Sequence, residues 1–231
     1  MNRLELCNRL RQETSISSVD LATTVGVSDG SLRLVNWIDE AWTDLQNRKQ
    51  WLWLRKTFEL LVVSGKKTYA HGDCTDSDGP VTRLKRWHFE SIVNPPWIYK
   101  TSAGPGTSTP LNYLDWPDFN NLFNLNNSAP GFPSFITVAP DRSIVIGPEP
   151  NDDYTIVGEY MRSAQIFSAD TDIPELPDEY HMLIVWMAMI DLGYYDVADE
   201  IIQRGEAKKK LYMRQLVNNQ TAPARFPGPM A

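Results

Sequence analysis

Cysteine is nearly absent from this chain. Cys7 and Cys74 are its only two, far apart and without a C-x-x-C neighbour, which excludes a disulfide framework and the paired spacing of a zinc site. Both read as free thiols, and a reducing cytoplasm is the expected place of synthesis. Histidine is scarce too: His71, His88 and His181 stand apart from one another, so no H-E-x-x-H or comparable ligand spacing exists. Long apolar runs are missing. No stretch reaches the roughly 18 apolar residues that a membrane span needs, and charges interrupt every apolar run in "MNRLELCNRLRQETS", so it is read neither as a signal peptide nor as a span. Basic excess is also lacking, since 22 Lys and Arg face 29 Asp and Glu for a formal charge of −7. That balance argues against a chain that grips nucleic acid strongly by itself.

What is present is a folded, aromatic-rich chain. A hydrophobic fraction of 42%, an aromatic fraction of 11% and 231 residues suffice for one sizeable core or two modest ones. "NWIDEAWTDLQNRKQWLWLRKTFELLV" places Trp37, Trp42, Trp51 and Trp53 around a polar middle. Leu34, Val35, Ile38, Ala41, Trp42 and Leu45 recur at helical spacing before it, and a β-branched, aromatic texture follows it. Leu4, Cys7 and Leu10 mark a first helix, "TSISSVDLATTVGVSDG" interrupts it, and Asp29 or Ser31 is placed to cap the second.

From about Thr57, "FELLVV", "RWHFESIV", "WIYK", "PSFITV", "SIVIGP" and "YTIVGEYM" predict about six strands separated by Gly, Pro, Asp and Asn clusters. "SFITVAPDRSIVIGP" reads as a hairpin, and "LNYLDWPDFNNLF" as a short helix crossing the sheet. After "DTDIPELPDE" helix returns. Met182 to Ile190 is apolar on every side, so it is expected to be the buried central helix, ended by Gly193. Asp196 then caps a last helix to about Asn219, with Ala198, Ile201, Ile202, Gly205, Tyr212 and Leu216 on one side. Lys209 falls on that side and must snorkel or pair. The fold class expected is α+β: a discontinuous helical domain (1–55 and 176–220) carrying an inserted antiparallel β domain (56–175), with a flexible tail (221–231) that has no period.

The search for chemistry yields little. "DCTDSDG" has the wrong spacing for a calcium loop and no closing glutamate, and "SAGPGTST" lacks the Gly-Lys-Ser/Thr ending of a P-loop. Glu149 with Asp152 is the pair of carboxylates nearest to an acid/base arrangement, and sequence proximity does not fix their separation. His181, one turn into the buried helix, reads first as a hydrogen-bonded core residue. The basic stretch "RGEAKKKLYMR" offers a solvated helix face or, with Arg204, Lys208, Lys210 and Arg214 acting together, a contact with an acidic partner or a phosphate backbone. No cofactor, metal or catalytic set is indicated.

In order, "LCNRLRQETSI", "RLVNWIDEAWTDLQNRKQWLWLRKTF", "PSFITVAPDRSIVIGPEPNDDYTIVGEYMRSAQ" and "DIPELPDEYHMLIVWMAMIDLGYYDVADEIIQRGEAKKKLYMRQL" resemble the head-to-tail adaptor proteins of tailed bacteriophages. The resemblance spans nearly the whole chain. It implies a non-enzymatic connector whose copies form a ring, typically dodecameric, in the virion neck after assembly in the host cytoplasm. Its partners would be the portal protein, the tail nozzle protein, tail fibres and further copies of itself, with genomic DNA passing through the channel unbound. Trp51 and Trp53 then become candidates for a junction that serves both core and interface. In the tail, Phe226 beside Arg225 becomes the candidate anchor on a partner. Two other readings stay open: a tail-associated module that binds or cleaves polysaccharide, and a monomeric interaction domain.

Overall fold

A computed structural model describes residues 1–15, 19–90, 94–125 and 129–220; the expected tail, with Arg225 and Phe226, lies outside them. Helices α1 (Arg3–Thr14) and α2 (Asp29–Asn47) come first. Strands follow: β1 (Arg55–Val62), β2 (Thr68–Tyr69), β3 (Cys74–Asp76), β4 (Gly79–Pro80), β5 (Leu84–Trp87), β6 (Trp97–Lys100), β7 (Thr109–Pro110) and β8 (Asn112–Tyr113). Helix α3 (Trp116–Phe119) continues into a π-helical turn and precedes β9 (Phe135–Val138), β10 (Ile144–Gly147) and β11 (Tyr154–Arg162). Helices α4 (His181–Asp196) and α5 (Asp199–Gln220) close the described chain. This is an α+β fold. It divides into two compact units, one built from Met1–Leu54 with the chain from Ala164 onward, the other from Arg55–Ser163.

In the first unit α4 is the centre, packed by α1, α2 and α5. Eleven of its sixteen residues are buried, as an all-round apolar sequence demands. The expectation that Gly193 ends this helix fails, and the reason is steric. A Cβ on Gly193 would stand 2.7 Å from Ile202 Cγ1, and one on Gly205 of α5 would stand 2.8 Å from Ile190 Cγ1. Two glycines, one on each helix, let α4 and α5 approach closely, so Gly193 is a packing residue inside the helix rather than its stop. The helix ends at Val197, whose left-handed backbone (φ 55°) brings its N–H to the Gly193 carbonyl. Asp196 is therefore the last residue of α4 and not the cap of α5.

Two further details differ from expectation. Ser28 occupies the N-cap of α2, in place of Asp29 or Ser31, and gives the helix no side-chain hydrogen bond. On α5 only Gly205 and Leu216 of the expected apolar side are buried, while Ile201, Ile202 and Tyr212 are half-buried. The helix packs on α4 and buries only Gly205 and Leu216 fully.

The second unit holds a sheet ordered β4-β3-β1-β11-β6-β7, with β5 also paired to β11, and a four-stranded sheet ordered β2-β10-β9-β8. Its spine is the β1/β11 pair, antiparallel from Arg55↔Met161 to Val62↔Tyr154. Along β1, Phe58, Leu60 and Val62 are buried and alternate with exposed Glu59 and Leu61, the period-2 signature of a strand with one wet face. Both sheets contribute to one core, with Phe58, Ile98, Ile136, Ile144, Ile146, Ile156 and Tyr160 in it. Phe58 sits opposite Gly158, where a Cβ would come within 2.9 Å of its ring. Five of the six expected strands form where they were read; of "RWHFESIV" only Arg86 and Trp87 lie in a strand, at the end of β5, and the described residues that follow them, 88–90, are not in one. The 135–147 hairpin has the Ile144↔Val138 register. The described residues hold eleven strands in place of about six, because strands of two or three residues carry no readable period. One pair, β8 with β9, is parallel.

Candidate interaction surfaces

The four indoles divide by burial. Trp51 has no exposed surface, donates from Nε1 to the Leu45 carbonyl at 2.7 Å, and stacks on Trp53 with centroids 4.7 Å apart and planes 16° apart. Its hydrogen bond closes the end of α2, so its indole serves the core of its own chain. Trp42 is also fully buried, stacked on Phe167 at 5.9 Å. Trp37 and Trp53 are half-buried and keep surface at which a partner can pack.

The basic face of α5 is less uniform than its sequence. Arg204 is engaged within its own unit: its guanidinium pairs with Glu13 of α1 and lies 5.6 Å from the Trp186 ring centroid. Glu13 takes Arg9 at 2.6 Å as well. Lys208, Lys210 and Arg214 are exposed and, among the described residues, have no ion pair. Lys210 and Arg214 border a shallow groove of about 570 Å³ floored by Leu211, Met213 and Val217. Lys209 faces Asp191, as its position on the inner side requires.

A third surface escaped the sequence reading. At the start of α2 a cleft of about 480 Å³ is lined by Arg11, Ser28, Asp29, Arg33, Trp37 and Tyr195, among others. Arg33 lies over the Tyr195 ring at 4.7 Å and donates to its hydroxyl, and Trp37 meets the same ring at 5.7 Å. These residues come from three helices far apart in sequence, and nothing in the sequence joins Trp37, read as one of four indoles, or Asp29, read as a helix cap, to Arg11 or Tyr195.

Groups that resembled reactive ones are engaged structurally. Asp78 is paired with Lys56 at 3.1 Å and Arg162 at 3.4 Å, and its carboxyl is held below the usual range by hydrogen bonds from Lys56 and Ser77. Asp152 pairs with Lys100. Burial pushes the Cys7 and Cys74 thiols up to about 12, which makes both poor nucleophiles. The described residues contain no group of three or more side chains placed to hold a metal ion, and none of their helices is long and apolar enough to cross a membrane.

His181 is 1% exposed, accepts at Nδ1 from the Met1 ammonium at 2.7 Å and donates from Nε2 to the Leu176 carbonyl at 3.1 Å. Burial first, then that ammonium, holds its pKa down. His88 is pushed to about 4 by burial, with Arg55 and Arg86 adding to the effect. Both imidazoles stay neutral in the folded chain at a pH where the unfolded chain protonates, near 6.5. The unfolded state then binds more protons, so stability falls as pH drops from about 7 to about 5. Urea midpoints at pH 7, 6 and 5 should show this slope, and the His88→Gln/His181→Gln double variant should flatten it; an unchanged slope in the variant would place its origin elsewhere.

A family model described as SU10 adaptor protein matches residues 1–231 of this chain. No curated protein matches it.

Proposed function

We propose that this chain, which belongs to the SU10 adaptor protein family along residues 1–231, forms a ring of identical copies between the portal and the tail nozzle of a phage. In that role it closes the filled head and extends the channel through which DNA leaves. The whole-length family match carries this reading. The chain is a phage adaptor, a structural protein of the virion; the portal, the nozzle, tail fibres, a twelvefold copy number and a stay in the host cytoplasm during assembly are the finer parts proposed here.

Charge supports the proposal. A channel wall should not hold phosphate tightly, and a chain of net charge −7 meets that need. Lys210 and Arg214, without an ion pair among the described residues, border an apolar groove, and Lys208 is exposed on the same helix, a combination that favours association conditional on a matching acidic partner. Purified chain should sediment as a monomer or weak oligomer at micromolar concentration and close into a ring, seen by electron microscopy, when portal rings are added. A chain that stays monomeric beside intact portals would refute the proposal.

A further inference from the structure

The cleft at the start of α2 contains a cation, Arg11, that no described residue answers. Arg11 is 9% exposed and lines the cleft, yet among the described residues its guanidinium has no hydrogen-bond or ion-pair partner, and its Nε is sealed from solvent. A guanidinium presents five donors and cannot shed its charge, so withdrawing it from water without an acceptor is unfavourable unless something else enters the site. The second feature is the helix end itself. Ser28, at the N-cap of the nineteen-residue α2, turns its hydroxyl to Asp29 and caps no helix N–H. Ser28, Asp29, Gly30 and Ser31, at the positive end of the helix dipole and without a side-chain cap from Ser28, line the same cleft as Arg11.

The remaining walls say what kind of anion fits. Arg33 sits over Tyr195, and Leu34, Trp37 and Tyr195 make an apolar side, with Leu32 and Tyr194 exposed nearby. The cleft also carries Asp29 and Asp196, neither of which pairs with Arg11 or Arg33 among the described residues. Two cations balanced by two carboxylates leave little net charge. A monoanion seated on Arg11 is matched there, whereas a dianion or a phosphate backbone would also meet Asp29 and Asp196.

We propose that this cleft receives a glutamate or aspartate side chain from an acidic, aromatic-bearing segment of an adjoining protein. The carboxylate meets Arg11 and the open start of α2, and the neighbouring aromatic packs on Trp37 and Tyr195. The proposal rests on the adaptor reading only in making the partner a protein; its test uses neither ring nor portal, so the two fail separately.

The test is a titration of the full-length, ¹⁵N-labelled chain with acetyl-Tyr-Glu-Phe-amide, followed at the Trp37 indole N–H. The glutamate peptide should give saturable shifts, and its glutamine analogue should bind at least tenfold more weakly. Arg11→Met should lose at least tenfold in affinity without lowering the thermal midpoint, because the guanidinium it removes has no partner among the described residues. Arg33→Gln, at an exposed position, provides a second reading if Arg11→Met fails to fold, and it too should weaken the glutamate peptide severalfold. Equal affinity for the two peptides, no saturable binding, or undiminished binding by both variants overturns the proposal. So does tighter binding of inorganic phosphate or of a 5′-phosphorylated oligonucleotide, which would make this a phosphate site.

Discussion

Trp186→Ala should lower the stability of the helical unit by about 3 to 5 kcal/mol, the range seen when a buried aromatic is truncated and its cavity cannot close. Trp186 is 5% exposed on the central helix, and the close approach of α5 brings Arg204 to its ring face and the Gly205 backbone against its turn. Collapse is the usual relief for a cavity, and here it is blocked. The helices already touch at Gly193 and Gly205, so α5 cannot move inward to fill the space. One effect runs the other way: the indole Nε1 is buried without a partner, and deleting it removes an unsatisfied donor whose burial costs about 1 to 3 kcal/mol. Trp186→Phe separates the two, because it keeps most of the ring and drops the donor. It should cost less than about 1.5 kcal/mol. Urea midpoints for the pair decide the matter; an alanine variant as stable as the parent would show that the ring does not hold α4 to α5.

How much of this was legible in the sequence depended on the range of the interaction. The apolar run at Met182 to Ile190 announces a buried helix because burial on every face needs no partner to be named. "FELLVV" likewise announces a strand, but not which of its sides is wet, because Leu61 and Val63 are apolar and yet exposed. Gly193 was misread because a glycine near the end of an apolar run is a stop signal on local grounds, and only the α5 residues Ile201 and Ile202 turn it into a contact. The two-residue strands β2, β4, β7 and β8 could not be read, since each exists through its pairing with another strand.

The candidate surfaces divide in the same way. Lys208, Lys210 and Arg214 were visible as one basic stretch, and they are exposed. Arg204 was counted with them until the fold brought Glu13 across a separation of 191 residues. The cleft was invisible, because Arg33 and Tyr195 are 162 residues apart and Arg11 has the ordinary look of a charge on an amphipathic helix. Its isolation is a property of packing. No sequence pattern marks a cation whose partner is missing.

The other large effect is expected at Asp39. Arg3, 8% exposed in the first turn of α1, donates from Nε to Asp39 Oδ1 at 3.1 Å and from Nη2 to Oδ2 at 2.5 Å. Both burial and the positive end of the α1 dipole disfavour a cation at that place, so the carboxylate on α2 is what makes it tolerable. Asp39→Ala should cost about 3 kcal/mol, the low end of the range for a buried pair broken on one side, because the Asp39 side chain keeps 30% exposure and water can enter where it stood. Replacing both partners, as Arg3→Met with Asp39→Leu, should return most of that loss, since it leaves no charge behind. A double variant as unstable as Asp39→Ala would show that the site needs the ion pair itself. The same pair fixes α1 against α2, and Arg11 lies two turns further along the buried face of α1. Asp39→Ala should therefore also weaken the glutamate peptide at the α2 cleft, more than it weakens the glutamine analogue, because the cation that discriminates between them is held in place by the helix that Asp39 anchors.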